Sequence, residues 1–193
     1  MKHARFIFSI ALLAILIVGA CSSDKRVGGT IVVSSAADAD VLFPPLTLSL
    51  QGKQVVDQIF DNLADIGGAL NTVSDAGFTP RLADGWRWAS DSMSVAFHVN
   101  PRARWHDGAP VTAEDVRYTF QLVKDTSLAS PLASTLDNVD SVSVPDSLTA
   151  VVWFRQRAPD AFFKVASPVA ILPAHLLREI APGLPDLQPQ FLC

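Results

Sequence analysis

The feature that most constrains this chain is a helix with both of its ends marked in the sequence. Thr112 stands where an N-cap is needed, and Asp115 follows three residues later, the spacing of a capping box. Glu114 adds negative charge to the first turn and Lys124 adds positive charge to the last, each matching the helix dipole. Val116, Phe120 and Val123 fall on one side, so the helix must bury that stripe against a partner surface. Strand-like segments flank it and supply one. Residues 94–99 alternate, with Val95, Phe97 and Val99 on one face, and read as an edge strand ended by Pro101. Residues 139–144, a turn at Pro145-Asp146-Ser147 and residues 148–154 read as a β-hairpin with one dry face.

The other elements are less sharply marked. β-Branched residues 30–34 follow Gly28-Gly29 and read as a first strand, and residues 38–45 form a loop stiffened by Pro44-Pro45. Apolar residues at Val55, Val56, Ile59, Phe60 and Leu63 predict a helix over 53–63. Residues 67–78 are turn-rich. Trp86-Arg87-Trp88 places both rings on one face of an extended segment, where packing is the commoner use of such rings and a stacking platform the rarer. A last helix runs over 174–180. Strands and helices interleave irregularly and no repeat is present, which predicts a mixed α+β fold without tandem βαβ units. With 49% hydrophobic and 18% charged residues, the chain has the composition of a folded domain.

The N-terminus reads as an address. Lys2 and Arg5 precede an apolar run over residues 6–18, interrupted only by Ser9. As a helix that run reaches ~20 Å, short of the ~30 Å hydrocarbon core. It ends in Val18-Gly19-Ala20-Cys21, which resembles a bacterial lipoprotein signal. That resemblance implies a signal peptide over 1–20, a lipid on Cys21 and a flexible tether over 21–29. Cleavage would remove two basic residues and no acid, taking the net charge from −4 to −6. Cys193 is then the one cysteine left for the fold, so no intramolecular disulfide can form.

The charge also bears on function. A net −4 lacks the basic footprint of nucleic-acid binding. His106-Asp107-Gly108 is the most enzyme-like cluster, but Asp-Gly after Arg104-Trp105 reads as a turn, and no nucleophile motif accompanies it. His98, His106 and His175 are scattered, with neither a His-Glu-x-x-His nor a cysteine pair to hold metal. The glycine pairs lack the spacing of a nucleotide loop. The residues point to no catalytic group, no metal and no cofactor.

Three stretches carry a resemblance. They are Pro80-Arg81-Leu82-Ala83-Asp84-Gly85-Trp86, then Phe97-His98-Val99, then Arg104-Trp105-His106-Asp107-Gly108-Ala109-Pro110-Val111-Thr112-Ala113-Glu114-Asp115-Val116. Together they resemble the signature of family 5 extracellular solute-binding proteins, the receptors of bacterial oligopeptide, dipeptide and nickel ABC importers. The likeness extends back to Ile59-Phe60-Asp61-Asn62-Leu63 and on through Ser130-Pro131 to Leu172-Pro173-Ala174-His175-Leu176-Leu177.

It implies a type II periplasmic-binding-protein fold, here an incomplete first lobe over 30–193 with an antiparallel or mixed sheet and flanking helices, truncated before the second lobe. It also implies a peptide or similar small solute, permease subunits as partners, and a place in the cell envelope, held to the membrane through Cys21. Two segments match the family's ligand-contacting positions. One is the loop leading into the first helix, with Ser49, Leu50 and Gln51; the other holds Leu132, where many members carry an aromatic ring. The alternative is a complete accessory envelope lipoprotein that acts as an interaction module without solute.

Overall fold

A computed structural model describes residues 37–180 together with Val32, Ser34 and Ser35. The expected signal peptide over 1–20, Cys21, the expected tether over 21–29 and Cys193 lie outside the described residues. So does most of the strand expected at 30–34; Val32 and Ser34, which are described, belong to no strand. Among the described residues no helix is long and apolar enough to cross a membrane.

The chain enters through a 3₁₀ turn, Pro44–Leu46, and helix α1, Leu50–Ile59. A short antiparallel pair follows, β1 (Ala64–Asp65) with β2 (Thr79–Pro80). Next come β3 (Ala83–Trp88), β4 (Ser94–Val99), helix α2 (Ala113–Lys124) and a 3₁₀ turn at Ala133–Leu136. The hairpin β5 (Val139–Asp146) and β6 (Thr149–Phe154) leads to α3 (Ala161–Ala166) and α4 (Ala174–Ile180). Four strands form one antiparallel sheet in the order β3-β4-β6-β5.

One face of this sheet carries the core. Val95, Phe97 and Val99 of β4 are fully buried there with Ala150 and Val152 of β6, and the α2 stripe of Val116, Phe120 and Val123 packs over them. Phe162 of α3 sits at the centre of an aromatic group. Its ring centroid is 4.9 Å from Phe78, 4.9 Å from Trp86, 5.5 Å from Phe97 and 6.3 Å from Trp88. Trp86 and Trp88 therefore pack on the same side, as their alternation requires. The opposite face is open, with Arg87, His98 and Trp153 exposed.

Several expectations need correction. β4 is not an edge strand, because it pairs with β3 on one side and β6 on the other. Its neighbours come from distant parts of the chain, and alternation within one strand carries no record of them. The helix expected over 53–63 starts at Leu50 and stops at Ile59. Phe60 turns extended, and Leu63, part of the same apolar periodicity, is buried in the sheet core beyond the helix. The hairpin turns at Ser147-Leu148, two residues past Pro145. Pro145 stays inside β5 because β5 is an edge strand, where a missing N–H breaks no inner ladder bond. The short helix α3 was not foreseen.

The expected capping box forms. Asp115 Oδ2 accepts the Thr112 N–H at 2.8 Å and the Thr112 hydroxyl at 3.1 Å. The same carboxylate, only 3% exposed, uses Oδ1 to accept the Ala174 N–H at 2.8 Å. Thr119 Oγ1 accepts the Leu172 N–H at 2.9 Å and donates to the Asp115 carbonyl at 2.7 Å. Glu114 accepts from both Arg117 and Arg178. One helix thus caps itself and holds the start of α4.

Candidate functional site

Asp107 is part of the same clamp. Its Oδ2 lies 2.7 Å from His175 Nε2, and that hydrogen bond is the main reason its carboxyl is held below the usual carboxylate range. His106 is exposed and makes no hydrogen bond among the described residues. Its neighbour Asp107 closes the turn in which Gly108 takes a φ of +88° and donates its N–H to the Trp105 carbonyl at 2.9 Å. His98 Nδ1 lies 2.6 Å from Asp84 Oδ1 on the open face of the sheet. No group of three or more His, Cys, Asp or Glu side chains suited to a metal occurs among the described residues.

A different region gathers side chains without using them up. Ser130 Oγ donates to the Pro45 carbonyl at 2.6 Å across a separation of 85 residues, drawing the Ser130-Pro131-Leu132 segment onto the turn before α1. Leu132 then lines a cavity of ≈ 150 Å³ with Pro44, Thr47, Val56 and Ala170. A wider depression of ≈ 460 Å³, reaching Arg81 and Phe163, shares Lys53, Asp57, Asn62 and Pro168 with it, so the two form one groove. Its narrow end is apolar. Its charges neutralise one another: Lys53 pairs with Asp57 at 2.9 Å, and Arg81 with Asp61 at 3.1 Å and Asp65 at 3.0 Å. The half-buried Asn62 lines both parts, and its side-chain amide makes no hydrogen bond among the described residues. A free amide donor and acceptor beside an apolar floor suits a ligand carrying its own amides.

Ser49, Leu50 and Gln51 are not in a loop: Ser49 is the N-cap of α1 and the other two form its first turn. The reason is chemical. The Ser49 hydroxyl accepts the Gly52 N–H at 2.9 Å and donates to Asp40 Oδ1 at 2.7 Å. Asp40 Oδ2 accepts the N–H groups of Leu48 at 2.9 Å and Ser49 at 2.8 Å. These bonds, led by the one from the Ser49 hydroxyl, hold the Asp40 carboxyl far below the usual range. Gly52 permits the arrangement: a Cβ there would lie 2.3 Å from Asp40 Oδ1 and 2.7 Å from Thr47 Cγ2.

The structure places Leu132 in the groove and brings Thr47 and Lys53, on either side of Ser49 to Gln51, to its wall. Ser49, Leu50 and Gln51 themselves are not among its lining residues, and Leu50 is 68% exposed. Asp40 escaped the sequence reading, since a lone Asp in a loop carries no motif; Asn62 entered it only within Ile59-Phe60-Asp61-Asn62-Leu63, with no site role.

Residues 77–187 match the family described as bacterial extracellular solute-binding proteins, family 5 Middle. The peptidoglycan-binding protein YepA of Agrobacterium fabrum is 31% identical over 159 residues, 80% of this chain and 26% of that one. The periplasmic oligopeptide-binding protein OppA of Salmonella typhimurium is 29% identical over 140 residues, 69% of this chain and 24% of that one. Among solved structures, the oligopeptide-binding protein AppA of Bacillus subtilis, bound to a nonapeptide, superposes with a TM-score of 0.70. It is 18% identical, over 84% of this chain and 31% of that one. NikZ of Campylobacter jejuni, in complex with Ni(L-His), gives a TM-score of 0.62 at 19% identity, over 74% of this chain and 27% of that one. The fold is thus that of type II periplasmic binding proteins, of which the chain covers a part. Its matches span 10% to 26% of the curated relatives' lengths. With more than half of its residues matched by the family model, the chain belongs to the bacterial extracellular solute-binding proteins of family 5.

Proposed function

We propose that this chain supplies one lobe of a receptor that captures peptides or similar small solutes for an ABC importer. The observation that carries the reading is the groove beneath α1. It joins an apolar pocket at Val56, Leu132 and Ala170 to an unengaged amide at Asn62. An extended peptide needs both, a place for a side chain and a partner for its backbone. Leu132 receives the apolar side chain, and the first turn of α1, with Ser49, Leu50 and Gln51, flanks the entrance. Because the chain spans about a quarter of its relatives' length, it forms one wall of a cleft that closes by rigid-body motion of two lobes. Affinity for solute on this wall alone is correspondingly weak.

Titration of the chain with trialanine and trileucine, followed through its backbone amide signals, tests this. The expected result is millimolar binding, tighter for trileucine, with shifts at Thr47, Asn62, Leu132 and Ala170. Shifts confined to the open sheet face, or none, would sink the reading.

The N-terminus belongs to the same proposal: a signal over 1–20, a lipid on Cys21 and a tether over 21–29 place the lobe at the outer surface of a membrane. Labelled palmitate should enter the chain expressed in bacteria and should be lost completely in Cys21→Ala. Equal labelling of the two would remove the anchor.

A further inference from the structure

A second concavity lies at the other end of α3, formed from Val73, Trp88, Ser92, Arg157 and Pro159, none of which lines the groove at Leu132. Its volume is ≈ 560 Å³, within the ~300–1,000 Å³ range of small-ligand sites. The wall is rigid. Trp88 stacks on Phe154 at 5.7 Å between ring centroids and rests against Phe162, and the Ser74 N–H donates to the Pro159 carbonyl at 2.8 Å, tying the two sides together.

Donors are in excess here. Arg157 Nε donates to the Asp91 carbonyl at 2.8 Å, which fixes the guanidinium, yet its terminal nitrogens make no ion pair among the described residues. The Trp88 indole N–H and the Ser92 hydroxyl also have no partner among the described residues. Three nearby carboxylates are engaged elsewhere: Asp75 accepts the Trp86 indole N–H at 2.8 Å, Asp91 accepts the Met93 N–H at 2.9 Å, and Asp160 pairs with Lys164 at 2.9 Å. The rest of the surface is apolar, with Val73 54% exposed.

We propose that this concavity binds a carboxylate carried on an apolar body. Arg157 receives the carboxylate, and Trp88, Val73 and Pro159 receive the body. A fixed guanidinium is the side chain best suited to the planar, two-point geometry of a carboxylate, and a fixed indole suits a flat or branched apolar group. Such a group is either the C-terminal residue of a peptide or a free aryl or alkyl acid.

The test uses the full chain and three probes, phenylacetate, Ala-Ala-Phe and its C-terminal amide, read through backbone amide shifts. Shifts at Val73, Ser92 and Arg157 are expected with the acids, and at least tenfold weaker binding with the amide. Arg157→Gln should weaken the acids about tenfold or more, the scale of a lost hydrogen bond to a charged group. Val73→Asp, at an exposed position, should do the same by repulsion while leaving the fold intact. Binding of both acids means the carboxylate end suffices; binding of Ala-Ala-Phe alone makes the ligand a peptide C-terminus. Equal binding of acid and amide, no effect of Arg157→Gln, or shifts at Leu132 and Ala170 in place of these would overturn the proposal. The last result would leave the reading of the Leu132 groove standing.

Discussion

The two sides of this lobe use the same kinds of residue in opposite ways. On the α2–α4 side, Asp115, Thr119, Asp107 and His175 form a clamp in which each polar group has a partner within the lobe. In the groove beneath α1, the Asn62 amide faces an apolar cavity with no partner among the described residues. The difference shows how to separate scaffold from site in a chain rich in suggestive motifs. Arg104 to Val116 looks the most like an active site and is scaffold, because its carboxylates are consumed by backbone N–H groups, a histidine and two arginines. A group that folding has left unengaged, in a place that can receive a molecule, is the better sign of function.

The comparison can be broken first at the clamp. Asp115→Ala strips a buried acceptor from the N–H groups of Thr112 and Ala174. It should destabilise the lobe by about 3–5 kcal/mol, since each buried donor left unpaired costs ~1–3 kcal/mol. Urea unfolding followed by circular dichroism measures it, and a loss near zero would show that water or a neighbour replaces the carboxylate easily.

A smaller effect is expected at the edge of the groove. Alanine is favoured over glycine within a helix by up to ~1 kcal/mol, yet Gly52→Ala should still destabilise, by about 1–3 kcal/mol. The reason is the Cβ that would sit 2.3 Å from Asp40 Oδ1 and push that carboxylate off the first turn of α1. A raised melting temperature would contradict this packing.

The smallest stability change belongs to the site itself. Asn62→Ala removes an amide with no partner among the described residues, so the folding free energy should move by less than ~0.5 kcal/mol. Trileucine binding should nevertheless weaken several-fold. If Asn62→Ala instead unfolds the lobe, Asn62 belongs with Asp115 as scaffold, and the contrast between the two sides disappears.

How far these roles could be read in advance varied with the range of the interaction. The α2 helix was legible because its cap, its dipole charges and its apolar stripe lie within thirteen residues, Thr112 to Lys124. The β4 strand was legible as a strand through its alternation but was misread as an edge. The first helix was displaced because Leu63 continues the helical spacing while belonging to the sheet core. In the groove, Leu132 was named through family likeness and lies on the wall, whereas Asn62 was named only as part of a family-like stretch and Asp40 not at all. Their importance comes from what stands next to them, and both stand next to residues far off in the chain or in no recognisable pattern.

The sequence by itself determined the α+β class, the capped helix, the alternating core face of the strands and the family, all of which rest on periodicities and local chemistry within a few turns of chain. Only the tertiary structure decided the strand order, the partners of Asp107 and Asp115, and which polar groups remain unengaged. Those depend on contacts such as Ser130 with Pro45, 85 residues apart, and Ala174 with Asp115, 59 residues apart. Local patterning sets what each segment can become. Which groups folding uses up, and which it leaves for a ligand, is settled when distant segments compete for the same hydrogen bonds.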